Sequence, residues 1–355
     1  MGIDEVERLS AEAHRLATDG SWEEAGRHYA AAGARSVAIQ ALGPARRAFE
    51  AAGEAFRRAD VPREAARCAR VALTLPSPSR DVTAALRVRL AAVLGELGNG
   101  AGALSLCRRA AREASELNTR ELVLDTTIGL QQGYGRKRQW RRRVRQLGRV
   151  AGAFRAGQLA RMDGELDAAR QWFATVAQVF DGVRGGEAGA AAAACEQAEL
   201  DALEGDAGPA VEAYTRAARL HREAGRMSLA WRCEAGRVRA SVDAGLDVLP
   251  GVLDEGMALA EARAMCLLRI DLRIARGMAR SGRDRLQAAT DLDAAVAEAR
   301  QLGLRLREGR ALWQRAARLE GPEAATDLAR ALELLDDHVP LRTRVREMAG
   351  HGGSR

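Results

Sequence analysis

The sequence predicts an all-α protein assembled from repeated helix hairpins, a helical solenoid. Three observations point there. The composition is 47% hydrophobic but only 4% aromatic. A core must then be built from Ala, Leu and Val, and no stretch of useful length alternates apolar with polar residues as a half-buried strand would. A pattern of small residues recurs at intervals of about 40 residues, the mark of a repeat array. Gly, Asp and Pro fall between the apolar helical stretches, where the chain has to reverse.

Taken in order, the repeat reads as follows. Gly20 is followed by Ala25, Tyr29 and Ala32, offsets of 5, 9 and 12 residues. The same offsets relate Asp60 to Ala65, Ala69 and Ala72, and Gly98 to Ala103, Cys107 and Ala110. They recur from Gly164 to Ala169, Phe173 and Val176, and from Gly205 to Ala210, Tyr214 and Ala217. Looser copies lie in "SGRDRLQAATDLDAAVAEA" and "EGPEAATDLARALELL". In each copy the Gly or Asp ends one helix in a left-handed cap. The alanine five residues on lets the next helix approach, and the positions four and seven further along share its face. The preceding helix offers a small residue followed by a larger apolar one: Ala13 with Leu16, Gly53 with Phe56, Ala91 with Leu94. Pro62, Pro209 and Pro322 fall at turns, where the first position of a helix accepts proline. "TLPSPSR" (74–80) and the glycine-rich "DGVRGGEAG" (181–189) read as loops between hairpins. The second divides the chain into a sub-array over 1–180 and another over 190–348, with a disordered tail at 349–355.

This pattern of small, aromatic, turn-glycine and alanine positions resembles the tetratricopeptide repeat, although its interval exceeds that repeat's usual period of about 34 residues. Residues 22–73 resemble the N-terminal helices of SNAP-type membrane-fusion adaptors. From about residue 205, segments such as "AARLHREAG" and "AVAEARQLG" look like the long-period arrays of MalT-type bacterial regulators. The resemblance implies a right-handed superhelix of eight or nine hairpins whose first helices line a concave groove. The matching groove positions are His14 in the first hairpin, Arg47, Glu50, Glu54 and Arg57 in the second, Val88 in the third, and Gln158 with Arg161 in the fifth.

One segment departs from the pattern. Residues 136–149, "RKRQWRRRVRQLGR", carry eight basic residues and no acidic one. The formal charge of the whole chain is +7, so the remainder stands at −1. On a helix, Arg138, Arg142, Arg145 and Arg149 share one face, while Trp140, Val144 and Leu147 share the other. Such a helix either buries Trp140 and solvates its arginines, or presents Arg136, Lys137, Arg138, Arg141, Arg142, Arg145 and Arg149 as a patch for nucleic acid, anionic lipid or an acidic protein tail. No helix-turn-helix, zinc-finger or RNP motif accompanies it. Lys137 is the only lysine of the chain.

Catalytic signatures are missing. "GNGAGALS" (98–105) has glycines, but they coincide with the repeat turn and no strand precedes them. Lys137 is followed by Arg138, so no phosphate-binding Gly-Lys-Ser/Thr exists, and neither GxSxG nor HExxH occurs. The histidines, His14, His28, His221, His338 and His351, are scattered. Cys68, Cys107, Cys195, Cys233 and Cys266 are too far apart for CxxC or zinc-knuckle spacing, and read as buried free thiols of a reducing compartment. The N-terminus lacks a secretory core, Val6 breaks the myristoylation motif, and no apolar run approaches a membrane span, so a cytoplasmic location is expected.

The expectation is a non-catalytic adaptor or scaffold, without cofactor or metal, holding a protein or peptide segment in its groove. The groove arginines favour a partner rich in carboxylates. Two alternatives remain open from the sequence: a peptide-sensing module of a bacterial signalling or transcription system, and a nucleic-acid or anionic-surface binder acting through residues 136–149.

Overall fold

The computed structural model describes residues 2–134, 148–181, 186–318 and 323–352. Among them every regular element is helical, and the fold is an all-α solenoid of helix hairpins. The chain divides by contact into two compact units, residues 1–130 with 263–265, and 131–262 with 266–355.

The first unit contains α1 (Gly2–Thr18), α2 (Trp22–Ala38), α3 (Leu42–Arg58), α4 (Pro62–Thr74), α5 (Arg80–Glu96) and α6 (Gly100–Glu113), and is followed by α7 (Leu117–Tyr134). From α1 to α6 each helix packs on the next. Ala84 and Val88 of α5 meet Ala110 of α6, Ala114 and Val123 of α7 in one cluster.

The second unit comprises α8 (Arg149–Asp163), α9 (Leu166–Phe180), α10 (Glu187–Glu204), α11 (Ala207–Glu223), α12 (Met227–Asp243), a 3-10 turn (Pro250–Leu253), α13 (Asp254–Ala262), α14 (Cys266–Arg280), α15 (Arg285–Gln301), α16 (Arg305–Arg318), α17 (Glu323–Leu334) and α18 (Val339–Gly352). Here α9 packs on α10, so the array runs on past the glycine-rich 181–189 connection. The first helices of the hairpins also touch one another: α8 with α10, α10 with α12, α12 with α14, α14 with α16, α16 with α18. Then α18 returns to α8. This unit therefore curls until its inner helices meet across the curve.

The turns explain the regularity. Gly20, Asp60, Gly98, Gly164 and Gly205, the five residues that open the sequence repeat, all have left-handed φ. At Gly20 the amide donates to the Ala17 carbonyl (3.2 Å) and the next amide, Ser21, reaches back to Leu16 (2.9 Å). This is the double reverse bond of a Schellman cap. Asp60, Gly98 and Gly164 repeat it, as do Gly245 after α12 and Gln40, Gly225 and Gly303 at the turns between hairpins. Most turns are thus one device. After the longer loops a side chain starts the helix instead: Ser79 accepts from Val82 N (3.1 Å), and Asp284 from Gln287 N (3.0 Å). Pro62 opens α4 as expected, whereas Pro209 is the third residue of α11.

The core is built from the predicted small residues. Ala25, Ala32, Ala72, Ala103, Ala110, Ala169, Ala210 and Ala217 are fully buried. Several aromatics sit on glycines of a neighbouring helix. A Cβ on Gly157 would lie 2.7 Å from the Phe173 ring, and one on Gly26 would lie 2.9 Å from Phe56. Phe173 also meets Phe154 edge to face at 5.7 Å.

Candidate functional site

The expected groove positions fare differently in the two units. His14 and Arg47 are exposed. Glu50, Glu54 and Arg57 line a shallow groove with Leu86 and Arg89, of about 20 Å³, room for one water. Their charges are already matched within α3: Arg46 pairs with Glu50 at 2.7 Å, and Glu54 takes Arg57 at 2.6 Å and Arg58 at 3.0 Å. Val88 is 1% exposed and belongs to the core between α5 and α6, so it lines no groove. The basic segment, with Arg136, Lys137, Arg138, Arg141, Arg142 and Arg145, lies outside the described residues, as does the side chain of Arg149.

Gln158 and Arg161 of α8 are buried at 6% and 8% exposure, and Arg161 lines a much larger cavity, about 360 Å³, inside the second unit. Five arginines line it, Arg161, Arg232, Arg239, Arg307 and Arg310, with three carboxylates, Glu196, Glu199 and Asp271. These eight residues come from α8, α10, α12, α14 and α16, the inner helices, and the curl of the unit brings them together.

Glu199 is the hub. Its carboxylate accepts from the Tyr214 hydroxyl (2.5 Å), from Arg310 Nη2 (2.5 Å) and, more distantly, from Arg239 Nη2 (3.5 Å), with Arg161 Nη1 at 3.6 Å. Burial by itself would push this carboxyl up. Arg310, Arg239 and Arg161, with the Tyr214 hydrogen bond, outweigh it and hold the group well below the usual carboxylate range. Burial and the Glu199 charge drive the Tyr214 phenol well up. Arg307 grips Asp271 through two bonds of 2.9 Å. Burial opposes ionisation of Asp271, yet Arg307, Arg232 and Arg239 keep it below its ordinary value.

Other groups in this interior are under-bonded. Buried Arg161 Nε, Arg232 Nε and His221 Nδ1 have no hydrogen-bond partner among the described residues. Arg161 reaches Glu196 only at 3.3 Å, and Arg232 stands 3.6 Å from Asp271. Gln158 donates to Glu196 (2.6 Å) and accepts from Arg155 (2.8 Å). His221 is held down to about 4 by burial and by Arg226 and Arg232. His338, at the start of α18, is likewise lowered well by burial and by Arg161 and Arg310. Both rings are neutral near pH 7.

The sequence reading found Gln158 and Arg161 but not the groups that face them. A signal was present. Arg161, Glu199 and Arg239 lie 38 and 40 residues apart, and Arg232, Asp271 and Arg310 lie at steps of 39. Each series is one inner-helix position read through successive hairpins, with alternating charge.

The described residues include no cluster of three or more His, Cys, Asp or Glu side chains suited to a metal ion, and no helix long and apolar enough to cross a membrane. No protein-family model and no curated protein matches the chain. Among solved structures it is similar to a tetratricopeptide repeat protein from Parabacteroides merdae, at 16% identity and a TM-score of 0.34, covering 84% of this chain and 98% of that one. It is also similar to yeast Tom70, at 10% identity and a TM-score of 0.35, covering 94% of this chain and 86% of that one. The helical-repeat assignment rests on the chain's own turns and packing.

Proposed function

We propose that this chain is a non-catalytic helical-repeat binding protein, an adaptor or scaffold that takes an acidic protein or peptide segment against the inner helices of its second unit. The observation that carries this reading is the charge of the 360 Å³ cavity: five arginines against three carboxylates, with Nε groups of Arg161 and Arg232 unbonded. Buried donors left without acceptors cost free energy, about 1–3 kcal/mol each, and a carboxylate or phosphate oxygen recovers it with charge-assisted bonds. Phe154, Leu229 and Leu306 supply apolar wall beside these donors, the mixture typical of a binding cavity. The first unit is the weaker candidate, because Arg57 is already satisfied by Glu54.

The test is fluorescence anisotropy of a labelled glutamate-rich peptide, combined with cross-linking to map its position. Binding is expected to be lost in Arg232→Glu, whose side chain is a third exposed, and kept in Arg57→Glu, with cross-links on α10 and α12. Equal binding by both variants and the parent protein would remove the second unit from consideration.

A further inference from the structure

The cavity is more specific than an acidic preference requires. We propose that it recognises a dianionic phosphomonoester, carried on an organic body, in preference to a carboxylate; this rests on the reading of the second unit as the binding region.

Charge balance is the first argument. The lining holds two more arginines than carboxylates. His221, which also lines it, adds no positive charge at neutral pH, since burial and its arginine neighbours keep the ring unprotonated. A buried excess of charge is expensive unless a counter-charge is supplied. A single carboxylate neutralises half of this excess, whereas a phosphomonoester carries close to two negative charges at pH 7.

Donor geometry is the second argument. The orphaned groups of the lining residues are Arg161 Nε on α8, Arg232 Nε on α12 and His221 Nδ1 on α11, with one acceptor, Glu196 Oε2 on α10. Three helices therefore each bring to the cavity lining a side chain with one unsatisfied nitrogen. A carboxylate has two oxygens in one plane. A phosphomonoester has three terminal oxygens splayed about phosphorus, so it can meet donors that arrive from separate helices. The other arginines are committed: Arg310 to Glu199 at 2.5 Å, and Arg307 to Asp271 at 2.9 Å. They frame the site with short bonds, whereas Arg161 and Arg232 hold their carboxylates more loosely, at 3.3 Å from Glu196 and 3.6 Å from Asp271, and are the arginines an incoming anion can recruit.

Size and lining are the third. A volume of 360 Å³ lies at the small end of ligand cavities, which run from about 300 to 1,000 Å³. It suits one phosphorylated side chain or one small organic phosphate, with Phe154, Leu229 and Leu306 around the organic part.

The probes are phenyl phosphate, phenyl sulfate, inorganic phosphate and a five-residue peptide with a central phosphotyrosine, titrated into the full chain by calorimetry. Phenyl sulfate has the shape of phenyl phosphate and one charge less. Phenyl phosphate is expected to bind roughly tenfold tighter than phenyl sulfate, as charge-assisted bonds to a second negative charge require. Arg161→Gln and Arg232→Gln should each erase that preference, with helicity checked by circular dichroism. The comparison within the parent protein needs no variant, so a misfolded variant does not rescue the idea. Equal affinity for phosphate and sulfate overturns it, as does the absence of saturable binding by any phosphorylated probe. If the peptide binds and phenyl phosphate does not, the source is a phosphorylated chain; the reverse points to a free metabolite. If a glutamate-rich peptide binds as well as the phosphopeptide, the phosphate preference fails while the acidic-segment reading survives. If neither binds, both fail.

Discussion

The inner faces of the two units use the same residue types in opposite ways. In the first unit the groove charges of α3 pair within that helix: Glu54 with Arg57 and Arg58, Arg46 with Glu50. In the second they pair between helices: Glu199 of α10 meets Arg161 of α8, Arg239 of α12 and Arg310 of α16. A pair three or four residues apart forms in the isolated helix and stabilises it by about 0.2–0.5 kcal/mol. A pair 111 residues apart exists only once the hairpins have stacked. The first kind of face is finished locally and asks nothing of a partner. The second is assembled late, is buried, and leaves donors over.

The largest effect that can break this contrast comes from removing one carboxylate in each unit. Glu199→Ala leaves Arg310, Arg239 and Arg161 facing one another in the interior. Removing one partner of a buried ion pair costs about 3–5 kcal/mol. Glu54→Ala should cost about 0.5 kcal/mol, because Arg57 and Arg58 then turn to water. Peptide-resolved hydrogen exchange separates the units, with loss of protection expected across α8–α16 for the first variant and little change for the second. Similar losses in the two would show that the cross-helix network carries no special weight.

Next come the helix crossings. A Cβ on Gly236 presses into the Tyr214 ring, whose hydroxyl is fixed on Glu199. The ring cannot step aside without giving up that bond, so Gly236→Ala should destabilise the second unit by about 1–3 kcal/mol. Gly53 in the first unit looks equivalent in the sequence, yet a Cβ there meets the Ala65 carbonyl at an ordinary 3.5 Å. Gly53→Ala should therefore stabilise, by up to about 1 kcal/mol of helix propensity. Urea unfolding reads both, and a shared sign would contradict the packing described here.

The sequence was informative wherever a feature is fixed by neighbours along the chain. Gly20, Asp60, Gly98, Gly164 and Gly205 could be placed because a left-handed cap leaves a local imprint. Ala25 and Ala210 could be placed because helix contacts repeat at fixed offsets from those caps. Gln158 and Arg161 were reachable as inner-face positions. What decides their role was not reachable, because Glu199, Arg239 and Arg310 join them only through the curl of the second unit, and curvature is a sum of small rotations at each hairpin. Val88 was misplaced for a related reason: helix α5 is rotated so that Leu86 and Arg89 face the groove and Val88 faces α6.

The pH response sharpens the comparison on a smaller scale. In the unfolded chain His221 titrates near 6.5, and in the folded protein near 4. Between those values the unfolded chain holds the extra proton, so folding stability is fully present above pH 6.5 and is lost as pH falls toward 4. The slope for one such group is at most about 1.4 kcal/mol per pH unit. His338, lowered well by burial and by Arg161 and Arg310, adds in the same direction. His221→Gln should flatten the acid limb of the second unit's stability curve while leaving the first unit's unchanged; an unaltered acid limb would mean the ring is hydrated.

The smallest effects lie at the turns, where the two units are alike. Gln40 closes α2 with φ 57°, an exposed side chain and the bonds Gln40 N to Val37 O (2.9 Å) and Ala41 N to Ser36 O (2.8 Å). A side chain in that conformation costs about 1–2 kcal/mol, and part of it returns on Gln40→Gly, for a net gain of roughly 0.5–1 kcal/mol once the greater freedom of unfolded glycine is set against it. Gly205 ends α10 with φ 92° and no atom within 4 Å of a Cβ, so Gly205→Ala carries no steric clash with neighbours and loses stability through backbone strain alone, by about 1–2 kcal/mol. Thermal unfolding of the two variants should therefore move in opposite directions by comparable amounts, one in each unit. If it does, the cap is one device used throughout, and the contrast between the units belongs to their inner faces. If Gln40→Gly destabilises, the glutamine side chain contributes a contact that outweighs its strain, and the turns of the two units differ as well.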